Sequence, residues 1–152
     1  MNVSATHKTS RVILATPRAI FRTLLDPETI PAWRAPKGMS ARIEHFDPRP
    51  GGTYRMALHP SAGGTESKSG DDTNIDVEFV EILAEERIIE RVRFDTADPR
   101  LQGTMTLTTL LEPVKDGTKV TLTADDVPQG FSEADHEEGM ALTLRNLANF
   151  VE

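Results

Sequence analysis

A chain of 152 residues with a formal charge of −7 and no cysteine is the length of one domain, 1–152, able to bury about two-thirds of its unfolded surface. The missing thiols exclude a disulfide framework, a cysteine-ligated zinc, a thiol nucleophile and a redox pair. Acids spread along the chain oppose binding to nucleic acid or anionic lipid. No apolar run approaches the ~20 residues of a membrane span, and Met1–Ser10 lacks the basic start and apolar core of a secretory leader. Neither nucleic acid nor membrane is therefore an expected partner, and a cytoplasmic location is the default.

Val3 to Ala15 carries apolar and β-branched residues and reads as a strand. Thr16 then offers a side-chain oxygen cap with Pro17 in the first turn, and Ile20, Phe21, Leu24 and Leu25 recur at helical spacing up to Asp26-Pro27. A short helix or turn, Glu28 to Trp33, precedes the loop Arg34–Gly38. Strand texture follows over Ser40–Phe46, Gly52–His59, Asn74–Leu83, Arg87–Asp95, Gly103–Glu112 and Thr118–Ala124. The Gly-, Ser- and Asp-rich stretch His59–Thr73 reads as a mobile surface loop, and Asp116-Gly117 as the tight turn of a terminal hairpin.

From Ser132, a cap followed by Glu133 and Asp135, a long amphipathic helix runs to Val151 with Met140, Leu144, Leu147 and Val151 on one stripe. Strand, two short helices, an antiparallel meander and one long helix make an α+β plan in which the sheet buries a face on that helix.

That order, joined to particular residues, resembles the family related to the C-terminal domain of the activator of Hsp90 ATPase, within the Bet v 1-like or START-like (SRPBCC) superfamily. The residues that carry the resemblance are Thr16-Pro-Arg-Ala-Ile-Phe21, Trp33, Phe46-Asp-Pro-Arg-Pro-Gly-Gly-Thr-Tyr-Arg55, Val80-Glu-Ile-Leu-Ala-Glu-Glu-Arg-Ile88, Gly117-Thr-Lys-Val-Thr-Leu122 and His136-Glu-Glu-Gly-Met140. Relatives usually have Gly-Trp where this chain has Gly139-Met140. The resemblance implies a helix-grip fold, a curved sheet of about six to seven strands around the C-terminal helix with a cavity between them.

On that fold Trp33, Tyr54, Met56, Val80, Met105, His136, Met140 and Thr143 are the expected lining of the cavity, and an unidentified small apolar or amphipathic molecule is the expected ligand. His136 lies one helical turn before Met140 and so shares its face, where an imidazole serves as base or ligand donor near neutral pH. The alternative is a partly solvated histidine among Glu133, Asp135, Glu137 and Glu138. A metal site from His45, His59 and His136 lacks a ligand pair at short spacing, so neither metal nor cofactor is expected.

The strand around Asp76–Val80 poses a parity problem. If Val80 and Ile82 face inward, Glu78 and Asp76 do too, with Glu78 and Arg91 as polar groups of the cavity; a bulge near Phe79–Val80 would instead leave both acids in water, paired with Arg55, Arg91 or Arg93.

Three functions are then open. A ligand-binding module is the leading one, with no catalytic residue assigned. A protein-interaction domain, chaperone-related or homodimeric, would present an exposed apolar patch, with Ile75, Val77 and Phe79 the candidates if theirs is the outer face. A polyketide cyclase-like or hydrolase-like enzyme would need polar groups converging on His136 or an inward carboxylate.

Overall fold

The computed structural model describes residues 5–35, 38–60 and 73–152. The first strand is β1, His7–Ile13; the expected Val3 and Ser4 at its start lie outside the described residues, as do residues 61–72 of the Ser- and Gly-rich stretch and 36–37 of the earlier loop. Helix α1, Pro17–Leu24, starts as its sequence dictates: the Thr16 side chain accepts from the Ala19 N–H at 3.1 Å, and Pro17 occupies the first turn, where no N–H is needed. Ile20 and Leu24, one turn apart, are buried. Helix α2, Ile30–Arg34, buries Ile30 and Trp33.

Strands β2 (Met39–Glu44), β3 (Thr53–Pro60), β4 (Thr73–Leu83), β5 (Arg87–Asp95), β6 (Thr104–Val114) and β7 (Gly117–Asp125) follow. They form one antiparallel sheet ordered β1-β7-β6-β5-β4-β3-β2, the expected meander with β1 added at the far edge beside β7. Helix α3, Glu133–Val151, closes the concave face and buries Met140, Leu144, Leu147 and Ala148, a stripe at helical spacing. Its cap is Ser132, which accepts from the Asp135 N–H at 3.1 Å. No helix among the described residues is long and apolar enough to cross a membrane.

The parity of β4 is settled by a bulge. Phe79 pairs with Glu90 while Glu81 pairs with Ile89, so Val80 is an extra residue in the ladder. Ile75, Val77 and Phe79 therefore point into the core, between 1% and 7% exposed, which removes them as an outer apolar patch. Val80 is 38% exposed. The expectation that it faces inward is thus corrected: the bulge spends the residue on the outside and returns Ile82 to contact with the core.

The segment Pro48-Arg-Pro-Gly-Gly52 is the turn between β2 and β3, and it is fastened to that bulge. The Gly51 N–H donates to the Phe79 carbonyl at 2.7 Å and the Phe79 N–H donates to the Gly52 carbonyl at 2.8 Å. Gly51 needs its positive φ of 86°, whereas a Cβ on Gly52 would overlap the carbonyl oxygen of Asp47. The two glycines therefore fail differently. Gly51→Ala should cost about 1 kcal/mol of left-handed strain, and Gly52→Ala about 2–3 kcal/mol, since backbone must move. Urea denaturation of both variants checks the order.

At the terminal hairpin Val114 pairs with Gly117, so the turn residues are Lys115 and Asp116, not Asp116-Gly117. Asp116 takes the positive φ, 66°. Gly117 serves a different purpose: a side chain there would run into the backbone of Ile13.

Candidate functional site

Between α3 and the inner faces of β3 to β7 the packing leaves a cleft of about 240 Å³. Its sheet side is Met56, Leu58, Ile75, Val92, Phe94, Met105, Leu107 and Leu122; its helix side is His136, Gly139, Met140, Leu142 and Thr143, with Arg34 and Ala35 from α2 and Phe131 from the loop before α3. Three of the walls are methionine, whose unbranched thioether adapts its shape to what it meets. Gly139 has nothing within 4 Å of the place a Cβ would occupy, so the helix surface is open there. Five of the residues expected to line this space, Met56, Met105, His136, Met140 and Thr143, are brought together along it.

Deeper, toward α1, a second space of about 30 Å³ is lined by Trp33, Arg34, Phe79, Glu90, Thr109, Thr143 and Leu144, among others. Arg34 and Thr143 border both spaces, so the two adjoin. Trp33 belongs to this inner space, and its Nε1 is the buried side-chain polar atom without a hydrogen-bond partner among the described residues.

At the junction sits a polar cluster that sequence reasoning missed. Glu90 alternates with Ile88 and Val92 and so faces inward with them; it is 5% exposed. The Arg34 Nη1 donates to the Tyr54 hydroxyl at 3.1 Å, and that hydroxyl donates to Glu90 Oε2 at 3.2 Å. Arg34 Nη1 lies 3.6 Å from Glu90 Oε1, an ion pair with side chains 14% and 6% exposed. Burial raises the Tyr54 pKa, opposed by Arg34 and reinforced by Glu90, so the hydroxyl keeps its proton and stays a donor. The guanidinium also lies 6.0 Å from the centre of the Trp33 ring. Tyr54, expected to line the cavity, borders neither inner space and meets the site only through its hydroxyl.

His136 has a partner no spacing argument could supply. Its Nδ1 is 2.7 Å from the Nδ1 of His7 on β1, the rings are 5.0 Å apart at 66°, and Phe131 lies 5.4 Å away on another side. His7 is 3% exposed. Burial lowers the His136 pKa, His7 lowers it further, and Glu137 pulls the other way. Glu137 also accepts from the Lys8 N–H at 3.2 Å, a second tie between β1 and α3.

Glu78 and Arg91 are not in the cleft. They pair across β4 and β5 at 3.7 Å with side chains about half exposed, beside the ion pairs of Arg55 with Asp76 (2.8 Å) and Asp95 (3.8 Å). With His45, Asp76 and Arg93 they border an open polar groove on the outer face. The bulge is the reason: it lets Phe79 face inward while Asp76 and Glu78 keep the opposite parity in water. Val80 borders neither inner space. Among the described residues no group of three or more His, Asp or Glu is placed to hold a metal ion.

A curled antiparallel sheet gripping a long C-terminal helix, with two short helices after the first strand, defines a helix-grip α+β domain of the Bet v 1-like class. The chain belongs to the activator of Hsp90 ATPase homolog 1-like family, whose model matches residues 14–152. Among solved structures it is similar to a protein from Chromobacterium violaceum at 29% identity, covering 97% of this chain and 96% of that one with a TM-score of 0.86. A Rhodobacter sphaeroides protein matches at 21% identity, with 95% and 90% covered and a TM-score of 0.79. A protein of the same family name from Silicibacter pomeroyi matches at 17% identity, with 96% of each chain covered and a TM-score of 0.77. No curated protein matches closely enough to count as a relative.

Proposed function

We propose that the protein binds a small apolar or amphipathic molecule between the sheet and α3. The observation that carries this reading is the cleft of about 240 Å³, walled by methionine, phenylalanine and aliphatic side chains with Arg34, His136 and Thr143 as its few polar groups. A concave, mostly apolar space with a small number of convergent polar groups is the usual form of a ligand site. The patch that would have favoured a protein-docking surface, Ile75, Val77 and Phe79, is buried.

The test is native mass spectrometry of the purified protein beside Met140→Trp, which returns the larger side chain usual in relatives. Met140 borders the cleft and is 6% exposed, so an indole there fills the space. Wild type should carry a noncovalent mass that is lost on denaturation, or take one up from added 2-phenylethanol, and Met140→Trp should do neither. Equal uptake by both proteins would place the ligand elsewhere.

A further inference from the structure

Resting on that reading, we infer that the ligand is a small organic monocarboxylate, held by the unshared edge of the Arg34 guanidinium with its apolar body along the methionine wall. Arg34 spends only Nη1 on its neighbours: Tyr54 and Glu90 both meet that one nitrogen. Among the described residues Nε and Nη2 have no partner. Those two N–H groups form a fork that matches the two oxygens of a carboxylate, the geometry in which arginine binds most strongly. Arg34 borders both the larger cleft and the inner space, and its side chain is only 14% exposed, so the cation belongs to the site.

Glu90 does not preempt that role. At 3.6 Å from Nη1 it sits beyond the 2.7–2.9 Å typical of a charge-assisted hydrogen bond, and the nitrogen it meets is Nη1, not Nε or Nη2. It holds the cation in place through Tyr54 without closing both edges. Across the cleft His136 offers a further polar contact from α3.

Size narrows the class further. A space of about 240 Å³ lies just below the roughly 300–1,000 Å³ usual for small-molecule pockets. That suits a single aromatic ring or a short branched chain with its carboxylate; a long acyl chain would project into solvent.

Phenylacetate, 2-phenylethanol and 2-phenylethylamine share one apolar body and differ in the head group, which makes them the probes. Trp33, the one tryptophan in the chain, lies beside Arg34 and reports occupancy by fluorescence, with calorimetry as the second readout. Phenylacetate should bind wild type about tenfold tighter than 2-phenylethanol, the worth of one charge-assisted hydrogen-bonded pair. The amine should bind more weakly than the alcohol. Arg34→Lys keeps the charge and loses the fork, so the ratio of acid to alcohol affinity should fall from about tenfold to near one in that variant.

Equal affinities for acid and alcohol in wild type would overturn the carboxylate assignment and leave the ligand-binding reading standing. An acid preference that survives in Arg34→Lys would overturn the assignment to Arg34. If none of the three probes binds wild type, the ligand-binding reading falls and this inference falls with it.

Discussion

Glu90→Leu should lower the stability of the fold by about 3 kcal/mol, and adding Arg34→Met should recover most of that loss. Removing one member of a buried ion pair leaves the other charge without compensation, at about 3–5 kcal/mol, whereas replacing both by apolar side chains of similar size is often neutral. The guanidinium cannot escape by losing its proton. Its 14% exposure and its place beside the cleft admit some water, which puts the expected cost at the lower end of that range. Arg34→Met alone should also lower stability, because it strands the buried Glu90 carboxylate without its partner.

Urea denaturation of the wild type, the two single variants and the double variant closes the cycle. A double variant as unstable as the sum of the singles would show that the two residues act independently, and the buried pair would not be the organising feature described above. The Tyr54 hydroxyl adds a check. Tyr54→Phe removes the bridge at 3.1 and 3.2 Å but leaves both charges, so its cost should be only about 1 kcal/mol.

The same cluster shows what could be read in the sequence and what could not. Helix caps are local: Thr16 and Ser132 announce α1 and α3 because the acceptor and the N–H it serves are three residues apart. Alternation in β5 is also local, and it does place Glu90 with Ile88 and Val92. The neighbouring Arg91 and Arg93 point the other way, into water. The partner that makes burial of Glu90 tolerable comes from α2, and that pairing is fixed only when the sheet curls.

The bulge is a second case. A single extra residue reverses the faces of everything before or after it, so Ile82 meets the core as expected while Val80, expected inward with it, does not. What places the irregularity is contact between Phe79 and the two glycines of the preceding turn, a long-range pairing that alternation within β4 does not encode. The cleft was the most legible part of the site. Met140 follows from helix periodicity, on one stripe with Leu144 and Leu147, whereas Met56 and Met105 are placed there by what the resemblance implies.

Acidification should loosen β1 from α3 before it unfolds the rest. The His7 and His136 nitrogens, 2.7 Å apart, share one proton: one ring donates and the other accepts. Charging His136 is disfavoured there because its ring is part-buried and packed against His7. Burial and the nearby His7 hold the His136 pKa below its ordinary 6.5, against the opposing pull of Glu137. For a base whose folded-state pKa is depressed, the unfolded chain binds more protons between the two pKa values, so stability rises with pH there. The contribution is therefore complete above about pH 6.5 and is lost as pH falls below it toward the folded value.

The partial exposure of His136 screens the effect, and the hydrogen bond itself sets its scale at about 1 kcal/mol. His136→Gln keeps a polar group on α3 while removing the titration. Wild type should lose stability between pH 7 and pH 5 relative to this variant, with the amide protons of β1 from His7 to Ile13 exchanging faster at the lower pH. Parallel stability profiles for the two proteins would mean that another group governs acid sensitivity. Faster exchange throughout the sheet, not in β1 alone, would mean that the pair does not hold this edge separately. Because His136 also borders the cleft, the same protonation would put a positive charge on the helix side of the proposed ligand site.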